Sequence, residues 1–166
     1  MSGKWWEELP KASALDVALE AEGIGGALAD VARSIYAQES GSGKNTTTSN
    51  AGAVGGMQIL PGTGAEVARK LGLPWGGAES LYDPETNITL GTAYLRQLLD
   101  RYGKPYQTIA AYNAGPAPVA RWTSQRPAMD PDFWIETISY KETREYVARV
   151  LAFSTIYDWR LNGDAV

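Results

Sequence analysis

The sequence predicts an all-α domain, a lysozyme-like helical class with room for a very small β-hairpin. Two observations carry the helical part of that expectation. Apolar residues recur at i, i+3, i+4 and i+7 in most of the chain, and glycine, proline and Asp-Pro breaks cut that pattern into pieces of helix length. The third observation is residues 40–60, rich in Gly, Ser, Thr and Asn, which read as an irregular loop and offer the one place for a hairpin. At 166 residues the chain is long enough for one domain with a core of its own.

The elements follow in order. Leu15, Ala18, Leu19 and Glu22 share helical spacing over residues 12–22, and the GIGG that follows is a break. A second helix is expected from Ala27 to Glu39, with Leu28, Val31, Ala32 and Ile35 on one stripe. Four residues further along that stripe stands Glu39. After the loop, Pro61 opens a short helix to Leu71. Asp83-Pro84 is an N-cap followed by proline at the first helical position. Its helix carries Ile88, Gly91, Leu95, Leu98 and Tyr102 on one face and stops at Gly103. A helix over 105–114 ends in AYNAGP, with Gly115 and Pro116 as terminators. Shorter turns or helices cover 117–124 and 133–137. The last helix runs from Lys141 to Trp159, with Tyr146, Val150, Phe153 and Tyr157 along one stripe.

Composition narrows the chemistry. The chain has no His and no Cys. That removes the usual zinc sites, serine–histidine triads, thiol nucleophiles and disulfides. Acid–base work must fall to Asp, Glu, Lys or Tyr. With a net charge of -4 and no long Lys/Arg run, a nucleic-acid footprint is absent. No segment is apolar and long enough for a membrane span, and the N-terminus lacks the apolar core of an export signal. Six Trp and nine Tyr are expected mainly in helix packing, a minority as stacking surfaces for sugar rings.

Glu39 ends a helix on its apolar side and is followed by no Asp or Glu until Glu66. Partial burial would raise its pKa and let it donate a proton near neutral pH, with activity falling as pH rises. The plainer reading, a helix-end acid turned to solvent, stays open at this point. In the glycine-rich run from Ser49 to Gln58, small residues let backbone approach a ligand, and Ser49 and Gln58 can hydrogen-bond sugar hydroxyls or acetamides. Met57, Ile59 and Leu60 can equally plug the core. Glu142, three residues after Ser139 and four before Tyr146, fits a capping box or the buried stripe.

Four motifs stand in one order. They are Glu39-Ser40, G-x-x-G-x-M-Q from Gly52 to Gln58 with Ile59-Leu60-Pro61, A-Y-N-A-G from Ala111 to Gly115, and E-T-R-x-Y-V from Glu142 to Val147. Together they resemble the catalytic domain of the soluble lytic transglycosylases. The resemblance implies a lysozyme-like α-helical fold over residues 25–160, between an N-terminal helical extension (1–24) and a short tail (161–166). It implies cleavage of the MurNAc–GlcNAc β-1,4 bond of peptidoglycan to a 1,6-anhydro-MurNAc end, with no cofactor and no metal. It assigns Glu39 as catalytic acid and then base, and Ser40 as support for the helix end. Ser49, Met57 and Gln58 would line the glycan cleft, and Tyr112 and Asn113 would face the scissile sugar, Tyr112 near the acetamide or Glu39. Glu142 would stand at the cleft, with Arg144 as an ion-pair partner. The implied partner is the glycan strand, met in the cell envelope or periplasm by a monomer.

One acid then suffices. A glycosidase that uses water needs a second carboxylate, whereas a sugar whose own 6-hydroxyl attacks does not. The run Gly41 to Thr48 departs from the family, which often has an aromatic residue two positions after the serine, then Asp or Asn and Pro. This bears on the shape of that side of the cleft and on stem-peptide preference. A muramidase that hydrolyses the same bond, and a glycan-binding protein of a phage particle or secretion machine without turnover, are the alternatives.

Overall fold

The computed structural model describes residues 14–40, 52–126 and 129–162. Ser49 and the run Gly41 to Thr48 lie outside them. The elements are α1 (Ala14–Ala21), α2 (Gly26–Ser40), α3 (Pro61–Leu71), a 3-10 turn (Ala78–Tyr82), α4 (Pro84–Tyr102), α5 (Pro105–Ala114), α6 (Pro116–Gln125), α7 (Pro131–Glu136) and α8 (Lys141–Asn162). Among the described residues the extended backbone is limited to one antiparallel bridge, Val54 with Ile59. The class is therefore all-α, as expected, and the small hairpin is that single bridge.

Local chemistry sets most boundaries. Asp83 caps α4 by accepting from the Thr86 amide at 3.0 Å, Pro84 follows at N1, and Gly103 closes the helix with φ 66°. The 3-10 turn before it was not foreseen; Leu81, its one buried side chain, has no periodic neighbours to announce it. Ile88, Gly91, Leu95 and Leu98 are buried, and Tyr102 is half-buried at the end of that face.

α8 lies against both α2 and α5, and α4 against α1, α3 and α5. One core joins Ile35 of α2, Leu95 of α4, Ile109 and Ala110 of α5, and Val147 and Val150 of α8, all at most 1% exposed. Leu15 and Leu19 of α1 belong to the same core. Arg33 ties α1 to α2, reaching Asp30 at 3.0 Å and Asp16 at 3.3 Å. Asp30 is buried, and desolvation raises its pKa against the lowering effect of Arg33. The aromatic residues serve packing first: Trp134 meets Tyr106 at 5.3 Å and Trp122 at 6.3 Å between ring centroids. No helix among the described residues is long and apolar enough to cross a membrane.

Candidate active site

Glu39 is the penultimate residue of α2 and is half-buried. Because α8 runs alongside α2, its buried Tyr146 is brought to that helix end, where its hydroxyl donates to Glu39 Oε2 at 3.1 Å. A second tie from the same helix follows three residues on, where Arg149 Nε donates to Gln38 Oε1 at 3.2 Å. Ser40 turns inward on its own helix, donating Oγ to the Tyr36 carbonyl. It therefore closes the last turn of α2.

The glycine-rich segment is fixed from below. Val54 and Ile59 exchange both backbone hydrogen bonds, at 2.9 and 3.0 Å, around the turn Gly55–Gln58. Gly55 has φ 76°, and a Cβ there would lie 2.4 Å from Asn87 Nδ2 and 2.6 Å from the Leu81 carbonyl, so only glycine fits. Gln58 also has positive φ, 50°, and its side-chain amide donates to Gly55 O at 2.8 Å. Asn87 of α4, 1% exposed, is the anchor. Its Oδ1 accepts from the Met57 amide at 2.8 Å, and its Nδ2 donates to Val54 O at 2.8 Å and Leu81 O at 3.0 Å.

Met57 itself points into the core and is fully buried, against Gly91 of α4. Tyr112 of α5 donates its hydroxyl to the Met57 carbonyl at 2.7 Å, so Tyr112 holds the loop and Tyr146 holds Glu39. Burial comes first, and the negative charge of Glu39 second, in raising both phenol pKa values well above the ordinary 10, so both hydroxyls stay protonated. Tyr112 packs on Tyr94 with ring centroids 5.6 Å apart. A cleft of about 200 Å³ opens beside these groups, lined by Gln58, Tyr94, Tyr112 and Asn113 among others. Asn113 is set by Thr143 of α8, which donates to its Oδ1 at 2.7 Å.

Tyr112 links the expected residues: it lines the cleft with Gln58 and Asn113, feels the charge of Glu39, and donates to the Met57 carbonyl, while Met57 buries its side chain and gives its N–H to Asn87. Glu142 differs from the expectation that it lies on the buried stripe. It is exposed, and Thr143 takes the inward place. α8 opens at Lys141, which makes Glu142 its second residue, one earlier than a capping box requires. Arg144 donates to Ile138 O at 2.9 Å instead of pairing with it. Sequence reading missed Tyr146 as the partner of Glu39, and Asn87 and Thr143 altogether. For Asn87 a signal existed, a polar residue four before Gly91 on a face otherwise apolar, which must find partners when buried.

The family model of the transglycosylase SLT domain matches residues 16–135, and that of the soluble lytic transglycosylase helical domain matches 137–165. The soluble lytic murein transglycosylase of Escherichia coli K12 is 39% identical over 109 residues, which are 64% of this chain and 17% of that protein. A transglycosylase of Enterobacteria phage PRD1 is 38% identical over 69% of this chain and 37% of its own length. Among solved structures, an inactive mutant of the lytic transglycosylase Slt of Pseudomonas aeruginosa superposes with a TM-score of 0.84 at 36% identity, over 93% of this chain and 25% of that one. The 70 kDa soluble lytic transglycosylase of Escherichia coli gives 0.84 at 33% identity, over 98% and 27%. This chain spans about a sixth of the length of the first of these curated relatives. With residues 16–135 matched, a range that takes in Glu39 and the glycine loop, it belongs to the transglycosylase SLT domain family.

Proposed function

We propose that the protein is a peptidoglycan lytic transglycosylase that cleaves the MurNAc–GlcNAc β-1,4 bond and closes the new end as 1,6-anhydro-MurNAc. The observation that carries this is the placement of Glu39. A carboxyl group at the end of α2, half-buried and held at 3.1 Å by Tyr146, is near enough to Tyr112 for its charge to raise that phenol's pKa, and Tyr112 lines a cleft with Gln58 and Asn113. The Tyr146 hydroxyl can donate to the carboxyl oxygen whether or not Glu39 carries its proton. The group is suited to hold each state in turn.

In the first step Glu39 gives its proton to the glycosidic oxygen as the C1–O bond breaks, and the departing sugar leaves as an alcohol. The positive charge that grows on C1 is met by the acetamide of the same sugar, as in the substrate-assisted exceptions to the two-carboxylate rule. In the second step the 6-hydroxyl of that sugar attacks C1 and returns its proton to the Glu39 carboxylate. No water is consumed, and the acid is regenerated.

In this reading Gln58 and Asn113 orient the sugar, Asn113 in the pose that Thr143 imposes, and Ser40 and Tyr112 hold the walls. Ser49 is proposed to bind the glycan strand. Glu142 is proposed at the outer rim, where an exposed carboxylate meets substrate only in its solvated parts. The cell envelope is the site of action, and one copy of the chain supplies the whole cleft. Mass spectrometry of digested murein tests the reaction class. Anhydro ends, one water lighter than reducing ends, are expected as the main product; mainly reducing ends would identify a muramidase and overturn the proposal.

A further inference from the structure

A second groove continues from the cleft beside Tyr112. The two share Thr63, Tyr94 and Pro116, and the outer one runs between α3 and α4 with a volume of about 460 Å³. Four charged side chains face it: Glu66 and Lys70 from α3, Asp100 and Arg101 from α4. Both acids are already neutralised. Lys70 Nζ lies 3.2 Å from Glu66 Oε1, and Arg96 Nη2 lies 2.6 Å from Asp100 Oδ1. Arg101 has no carboxylate partner among the described residues; its guanidinium stands 5.6 Å from the centroid of the Tyr102 ring. That ring is itself pinned, its hydroxyl donating to Pro116 O at 3.3 Å. The outer groove therefore presents one uncompensated cation, on a fixed aromatic support, at the far end of a path that leads through Tyr94 to Tyr112.

Sugar rings of the glycan strand carry no charge, so a cation placed there has no use for them. The peptides borne on alternate sugars do carry carboxylates, and a planar guanidinium matches a carboxylate in two hydrogen bonds. Resting on the proposed function, we infer that the groove between α3 and α4 is a subsite for the peptide of the strand, with Arg101 binding one of its carboxylates. The same chemistry has a second source, the lactyl carboxylate exposed when the peptide is removed, and the test separates the two.

Binding is measured with the Glu39→Gln protein, which leaves the strands intact, and with the same protein carrying Arg101→Gln. The probes are three soluble strand preparations of equal length: peptide-bearing, peptide-bearing with its carboxylates amidated, and stripped of peptide by an amidase. The Glu39→Gln protein should prefer the native over the amidated strand by roughly ten- to hundredfold, the size of one charge-assisted contact, and Arg101→Gln should erase that preference. Stripped strands should be insensitive to Arg101→Gln. An unchanged preference in Arg101→Gln overturns the subsite, and an equal loss on stripped strands overturns the peptide as its occupant. Because binding is read without turnover, a wild-type protein that binds strands yet forms no anhydro ends overturns the reaction class and not the subsite.

Discussion

The hydroxyl of Tyr146 donates to Glu39 Oε2 at 3.1 Å across a sequence separation of 107 residues. The acid is therefore tied to the packing of two long helices, α2 and α8. A buried phenol needs an acceptor, and a half-buried carboxyl gains a donor, so the contact serves both partners. Arg149, bonded to Gln38 one turn along α8, fixes the same two helices in register.

Glu39→Gln keeps the shape and the acceptor for Tyr146 but has no proton to give. Cleavage of purified sacculi should fall by about 100- to 10,000-fold with the melting temperature little changed. Tyr146→Phe removes one hydrogen bond to an ionisable group, worth about 1.5–3 kcal/mol, and should slow release of anhydro ends roughly ten- to hundredfold. A Tyr146→Phe rate equal to that of the wild type would show that Glu39 does not depend on this contact.

Asn87→Ala strips three buried backbone groups, Met57 N–H, Val54 O and Leu81 O, of their partner. At about 1–3 kcal/mol for each orphaned group, partly relieved by relaxation, the loss should be roughly 3–5 kcal/mol. Asn87→Asp should be no milder, since it turns an acceptor toward two carbonyls. Urea unfolding at constant m measures both, and a midpoint within error of the wild type would remove Asn87 as the loop anchor.

Legibility in the sequence followed the range of the interactions. The ends of α4 were readable because capping is local: Asp83, Pro84 and Gly103 each act within a turn. The position of Glu39 at the end of an apolar stripe was readable for the same reason. Its hydrogen bond to Tyr146 was not, because it depends on how α2 meets α8, and no local pattern encodes that. Glu142 shows a subtler failure. Stepping back from Tyr146 by four residues reaches Glu142 and by three reaches Thr143. A period of 3.6 lies between the two, and the structure buries Thr143 against Asn113. Asn87 is a polar residue on a buried face, a pattern that says a partner is needed without saying which.

At Gly91 two effects oppose each other. Alanine would favour the helix by about 1 kcal/mol. Its Cβ, however, would lie 2.4 Å from Met57 Sδ and 2.9 Å from Met57 Cβ. The thioether can swing away, but the Cβ cannot, since Asn87 and Tyr112 hold the Met57 backbone on both sides. Overpacking of this kind costs about 1–3 kcal/mol, so Gly91→Ala should be net destabilising. Met57→Ala in the same chain should recover part of the loss, and a double-mutant cycle reads the coupling. Additive effects of the two substitutions would mean that the contact carries no strain.

Alkaline pH should unfold the protein through its tyrosines. Burial is the first cause of the raised pKa at Tyr112, Tyr146, Tyr94, Tyr36 and Tyr102, and the charge of Glu39 adds to it at Tyr112 and Tyr146. Each folded phenol thus holds its proton to higher pH than in the unfolded chain, where the value is about 10. Below that value both states are protonated, and these groups give stability no slope. Above it the unfolded chain has lost protons that the native state keeps, so stability falls as pH rises toward the folded values. The urea midpoint should be level from about pH 8 to 9.5 and then drop, while phenolate absorbance at 295 nm appears together with loss of helical circular dichroism. Tyr112→Phe and Tyr146→Phe should each make the drop shallower. Phenolate absorbance that rises fully before any helix is lost would mean that these hydroxyls ionise inside the folded protein, and that their burial does not govern its alkaline limit.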